Sequence, residues 1–141
     1  MFAAFTNTNS GHAYEEGLIF LRAVGFVENQ ISEPTSPEQI RGLESRIVLK
    51  PEFIKGTLGL EPGQQILVVF YFHLSEGYEL LQHPRGDQSK AKRGVFAIRS
   101  PNRPNQIGVT AADLLEINGN ILRVRNLDAI NGTPVLDIKP A

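Results

Sequence analysis

Cysteine is absent from all 141 positions. That removes disulfides and thiolate metal sites and fits a reducing compartment, so a cytoplasmic protein is expected. Long apolar runs are also missing. Residues 66–72 are the strongest, and they have the length of a strand, well short of the roughly 20 residues that cross a bilayer. The opening MFAAFTN lacks a basic stretch followed by an apolar core, so no signal peptide is expected. There is no G-x-G-x-x-G and no P-loop, because Gly56, Gly59 and Gly63 have the wrong spacing and context. A nucleotide-like cofactor would have to be held in a non-Rossmann manner. His12, His73 and His83 show no zinc-ligand spacing, and no carboxylates complete one, so no metal is expected. No nucleophile elbow is present.

What is present is unevenly spread charge. The net charge of −1 argues against coating nucleic acid by bulk charge. Yet between Pro84 and Pro104 lie Arg85, Lys90, Lys92, Arg93, Arg99 and Arg103 against Asp87 alone, a local +5 that leaves −6 for the rest. This asymmetry points to an anionic partner at one face of an acidic body.

The chain reads as an arm over 1–17 and a single domain over 18–141, large enough for a core. Strands are expected at 18–27, 46–49, 65–74, 95–99, 107–110, 114–117, 121–126 and 135–138. Ser36, Pro37 and Gln39 give a capping-box start to a short helix near 37–44. Residues 51–58 offer one or two more helical turns. Residues 75–93 form a polar loop longer than compact domains usually carry without purpose. Asn118-Gly119 signals a type I′ hairpin, and beyond it Leu122 and Val124 alternate with Arg123 and Arg125. Short strands, tight turns and little helix make this an all-β chain: a small closed or nearly closed barrel of six or seven strands with one or two short helices.

Residues 99–109 (RSPNRPNQIGV) carry most of the functional information. Pro101 and Pro104 stiffen the loop and push their neighbours extended. Arg99 and Arg103 thus project from a largely preset backbone, and guanidinium is suited to bidentate capture of carboxylate or phosphate. His73, closing the run Phe70-Tyr-Phe-His73, reads by residue type as a satisfied, half-buried histidine. Residues 131–134 (NGTP) read as an ordinary turn. Asp137 and Lys139 suit a structural ion pair, and Asp128 is a similar case.

Two long motifs in order, residues 94–108 (GVFAIRSPNRPNQIG) and 128–140 (DAINGTPVLDIKP), resemble the TsaA/TrmO-like family. Its founding members are S-adenosylmethionine-dependent tRNA methyltransferases. The likeness runs from about Phe20 to Pro140 and strengthens from Gln65. It implies S-adenosylmethionine as cofactor, with His73, Leu74, Arg99, Val109 and the turn Asn131, Gly132, Thr133 and Pro134 at its site. Arg85, Arg93, Arg103 and Asn105 are then candidates for holding an anionic acceptor. The implied reaction methylates N6 of threonylcarbamoyl-adenosine in tRNA, by a protein that dimerises as the family does. Two departures stand out. Asn131 replaces the family's Asp in D-G-T-P, and the segment with Pro34, Pro37, Glu38 and Gln39 holds no P-R-Q element. The alternatives are an S-adenosylmethionine-binding sensor or RNA-binding module without turnover, or a methyltransferase for a small acceptor. No residue is marked as a general base.

Overall fold

The computed structural model describes residues 17–33, 37–40 and 42–141. Most of the expected arm, together with Pro34 and the Ser36 cap, lies outside the described residues. Six strands close a barrel in which every neighbouring pair is antiparallel: β1 (Gly25–Glu28), β2 (Glu44–Leu49), β3 (Gln65–Tyr71), β6 (Ile107–Asn118), β7 (Ile121–Arg125) and β8 (Pro134–Pro140). Around the barrel they run β1-β2-β7-β6-β3-β8. A short helix α1 (Pro37–Ile40) lies between β1 and β2. Outside the barrel, β4 (Leu81–Gln82) and β5 (Arg93–Gly94) make a two-stranded ribbon. The all-β barrel read from the sequence is therefore present, with six barrel strands.

Period-two alternation places the core. Ile47 and Leu49, Ile66, Val68 and Phe70, Ala112 and Leu114, and Leu122 and Val124 are all buried inside the barrel, with Val27 and Val135 completing the cluster. Between them the outward positions of β7 carry Arg123 and Arg125. Closure satisfies strand edges that an open sheet would expose.

Several element boundaries differ from the sequence reading. Residues 18–24 are not strand, and Leu18, Ile19, Phe20 and Leu21 are each over 60% exposed. Four consecutive apolar residues do not alternate, so no single pleated face could bury them. The strand expected at 95–99 is a 3₁₀ turn, Val95–Ala97. Val95 alone is buried; its N–H donates to Leu80 O (2.8 Å), and Ile98 N–H closes the turn on Val95 O (3.3 Å). The strands expected at 107–110 and 114–117 are one continuous β6, bent by a register shift between Leu114 and Glu116. The hairpin sits where expected, but Asn118 still pairs with Ile121, so Gly119 and Asn120 form the turn. Only Gly119 has positive φ (62°), the pattern of a II′ turn rather than I′.

Candidate functional site

Two adjoining cavities open where the ends of β3 and β6 meet the loops 72–75, 95–106 and 127–133. The larger, about 670 Å³, includes Phe96, Arg103, Val109 and Thr110 in its lining. The smaller, about 230 Å³, includes His73, Leu74, Ser75, Ile130 and Thr133. Phe70, Phe72, Arg99 and Asp128 line both, so these four form the shared wall. The two Phe rings meet edge-on at 5.2 Å and 73°, a preferred aromatic geometry that fixes the wall's shape. Opposite them stands Gly108, where an added Cβ would lie 2.7 Å from both ring tips. Glycine is what lets the rings pack against β6.

The loop carrying Arg99 is held by its own side chains. Arg103 Nη1 donates to Ile98 O (3.0 Å) and Ser100 O (3.1 Å), so this guanidinium clasps the backbone on either side of Arg99. Asn102 N–H donates to Ser100 Oγ (3.1 Å), and Gln82 Nε2 donates to Asn102 O (2.6 Å), tying the loop to the β4–β5 ribbon. Phe72 N–H reaches Gln106 O at 2.8 Å, and Ser75 N–H turns back to Phe72 O at 3.2 Å. That turn sets His73 and Leu74 on the cavity lining, one strand-step beyond the end of β3.

The opposite side is stitched to the exit of β1. Asn131 Oδ1 accepts from Asn29 N–H (3.0 Å), while Asn131 N–H donates to Ile31 O (2.6 Å) and Gly132 N–H to Val27 O (2.7 Å). Asn29 Nδ2 in turn donates to Ser45 Oγ (2.9 Å) and Ala129 O (2.8 Å), and Asn29 Oδ1 accepts from Ile31 N–H (2.9 Å). Thr133 Oγ1 closes the turn on Ile130 O (2.7 Å). The Asn131 side chain thus works as an anchor of the turn, using an oxygen that an aspartate would also offer. Asn131→Asp should leave thermal stability within about 0.5 kcal/mol of wild type. Asn131→Ala orphans the Asn29 N–H and should cost about 1 kcal/mol in denaturant unfolding.

Of the sequence-expected site residues, the fold brings His73, Leu74, Arg99, Val109 and Thr133 to the cavity walls. Gly132 has φ +85°, and a Cβ there would sit 3.7 Å from His73 Nε2, so it lies directly beside them. Pro134 pairs with Phe26 in the β1–β8 ladder and supports the turn from behind. Among the expected acceptor-binding residues Arg103 is the one on the lining described for these two cavities, and one of its nitrogens is committed to the loop carbonyls. Arg85 and Arg93 lie on the ribbon and its 3₁₀ turn, and Asn105 is exposed nearby. Among the described residues none of the cations Arg85, Lys90, Lys92, Arg93 and Arg99 has an ion-pair partner. Lys139 and Asp137 do form the expected surface pair (2.7 Å).

Sequence reasoning missed three contributors. Phe70 and Phe72 were read only as strand core, although the second lies beyond the strand's end. Phe96, 83% exposed, lines the larger cavity. Asp128 is the third. Among the described residues it is the only carboxylate on either cavity's lining, and partial desolvation there pushes its pKa above the ordinary 3.8.

A further groove of about 610 Å³ lies across β1, β2 and β7, lined by Glu28, Asn29, Glu44, Ser45, Arg46 and Arg123 among others. Its charges are already paired. Arg123 bonds Glu44 and Glu116, Arg125 bonds Glu44, and Arg46 faces Glu28. Hydrogen bonding from Arg123 holds the Glu44 carboxyl below its usual 4.5. Its stabilising contribution is therefore present above pH 4.5 and lost as the pH falls through the lower folded value. Glu44→Gln should flatten this acid limb in a series of melting curves, by a small amount because the pair is solvent-exposed. Paired charge recognises no ligand, whereas Arg99 and Asp128 are free.

Residues 25–141 match the family model described as the tRNA-methyltransferase O N-terminal domain. The chain belongs to this family. A probable S-adenosyl-L-methionine-binding protein of Methanothermobacter thermautotrophicus is 42% identical over 125 residues, covering 86% of this chain and 89% of that protein. The human tRNA (adenine(37)-N6)-methyltransferase is 36% identical over 141 residues, covering 91% of this chain but 31% of that protein. The crystal structure of TrmO from Pseudomonas aeruginosa superposes with a TM-score of 0.68 at 28% identity, covering 86% of this chain and 55% of that one. The chain thus spans nearly all of some of these relatives and from about a third to just over half of others.

The free groups of the site suit the cofactor in those names. S-adenosylmethionine carries a carboxylate, an ammonium, a sulfonium and an adenine. The lining offers the guanidiniums of Arg99 and Arg103, aromatic faces from Phe70 and Phe72, and apolar surface from Leu74, Ile130 and Val109. At 230 Å³ the smaller cavity is below the roughly 300–1,000 Å³ usual for such ligands, so a ligand there extends past Arg99 and Asp128 into the larger one.

Proposed function

We propose that this chain is an S-adenosylmethionine-dependent methyltransferase acting on N6 of an adenine in tRNA, with threonylcarbamoyl-adenosine as the acceptor. One observation carries the reading: an unpaired guanidinium and an unpaired carboxylate face the same aromatic-lined cavity, next to a loop of unpaired cations. The donor and tRNA readings also draw on the names of the relatives. Bound there, S-adenosylmethionine supplies a methyl group already activated by the sulfonium, so the protein's main work is alignment in a water-poor pocket. Arg99 would hold the donor's carboxylate, and the turn 131–134 with His73 and Leu74 would present backbone groups and walls around it. Val109 and the two Phe rings would cover its apolar parts. Arg103, Asn105, Arg85 and Arg93 would carry the phosphates and carboxylate of the acceptor. A cytoplasmic homodimer is the working state in this reading.

Taken from the sequence alone, the absent P-R-Q and the Asn at 131 favour a sensor without turnover. Asn131 retains the acceptor oxygen that ties its turn, which removes half of that argument. The test is transfer of labelled methyl to total tRNA. Incorporation into N6 of the threonylcarbamoyl-adenosine is expected, declining steeply with salt as phosphate contacts are screened. No incorporation into tRNA by protein that binds the donor would overturn the tRNA reading.

A further inference from the structure

We infer that Asp128 is the group that takes up the proton released by the acceptor nitrogen, an inference that rests on the methyl-transfer reading. It stands on the wall common to both cavities, between the lining that suits the donor and the larger space left for an acceptor. Among the described residues none forms a hydrogen bond or ion pair with its carboxylate. Its flanking residues, in contrast, are fixed: Leu127 and Ala129 are buried at 1% and 5% exposure, and Ala129 O is held by Asn29. The backbone carrying Asp128 is therefore fixed, while its exposed side chain leaves both oxygens available.

The other charged or titratable groups on these walls are Arg99, Arg103 and His73. The two arginines have no basicity to offer near neutral pH. His73 lines only the smaller cavity, beside Gly132, on the side assigned to the donor. Withdrawal of water raises the Asp128 pKa, which makes its carboxylate a stronger base than an ordinary surface aspartate.

The chemistry needs such a group. An adenine N6 shares its lone pair with the ring, and an acyl substituent withdraws more, so the nitrogen becomes nucleophilic as its proton leaves. The N–H proton passes to an Asp128 oxygen as the nitrogen pair forms the N–C bond. The S–C bond breaks with its pair remaining on sulfur, which ends as a neutral thioether. Asp128 then returns the proton to solvent through the cavity opening.

The experiment compares wild type, Asp128→Asn and Asp128→Glu by titration with S-adenosylmethionine and by single-turnover methylation of tRNA across pH. Asp128→Asn is expected to bind the donor within about threefold of wild type but to transfer methyl at least roughly 100-fold more slowly. The wild-type rate should rise with pH along a limb set by a carboxyl titrating above its usual value, and this limb should vanish in Asp128→Asn. Asp128→Glu should recover part of the rate. A tenfold or larger loss of donor affinity in Asp128→Asn would overturn the inference and make Asp128 a donor-binding group. An unchanged rate and pH profile would overturn it as well. A wild type that binds the donor and methylates no tRNA would instead overturn the functional reading, and the inference with it.

Discussion

Arg99→Ala is expected to weaken S-adenosylmethionine binding by about 30-fold, or about 2 kcal/mol, while the melting temperature stays at the wild-type value. The two halves of this expectation have different origins. Among the described residues the Arg99 side chain has no hydrogen-bond or ion-pair partner, so removing it leaves none of them unsatisfied. Its loop is secured instead by Arg103, Asn102 and Gln82. What the substitution removes is a charge-assisted contact to a carboxylate, and the estimate is kept at the low end because the arginine is solvent-exposed. Arg99→Lys should fall between, keeping the charge but losing the planar fork. Titration calorimetry beside differential scanning calorimetry separates the two effects. Unchanged affinity in Arg99→Ala would remove this residue from the site.

The second large effect is on stability. Gly25 pairs with Leu49 of β2 on one side and Val135 of β8 on the other. A Cβ at this position would lie 2.6 Å from Val48 O and 3.0 Å from Leu49 Cα. Those atoms are backbone, and they belong to a closed ladder that cannot open at one point without disturbing its neighbours. Gly25→Ala should therefore cost about 3 kcal/mol, lowering the melting temperature by on the order of 10 °C. Gly108→Ala is the informative contrast. The obstructing atoms there are the tips of Phe70 and Phe72, which can swing, so its stability cost should be smaller. The swing would intrude on the cavity, and donor affinity should suffer more than stability does. A Gly25→Ala protein melting with the wild type would show that β1 and β2 do not approach as closely as described.

The barrel was legible because alternation survives in short strands. Leu122 and Val124 against Arg123 and Arg125 could be assigned to inside and outside from the sequence, and they are found so. Less legible were segments whose conformation is decided by contacts distant in sequence. Residues 95–99 have strand-like composition, yet Val95 is drawn inward by Leu80 and the chain curls into a turn. Leu18–Leu21 are apolar and unaccommodated by any strand face. In the site, Arg99 could be singled out from its proline frame. His73, Leu74, Val109 and the 131–134 turn needed a family resemblance, since nothing in their local sequence separates a ligand wall from core or turn. Asp128 escaped for another reason. Its significance lies in sharing a cavity wall with Arg99, a relation across 29 positions that no local pattern encodes. The anchoring role of Asn29 was hidden likewise, because its partners Ser45, Ala129 and Asn131 come from two segments, the second about 100 positions away.

The central claim is that the donor occupies the space walled by Phe70, Phe72, Arg99 and Asp128. The measurement that tests it most directly is a crystal structure of the protein with S-adenosylhomocysteine. The account predicts the ligand's carboxylate on Arg99, its sulfur facing the larger cavity, and the 131–134 turn against it. Ligand found instead in the groove between Glu28 and Arg123, with the Arg99 cavity empty, would contradict it.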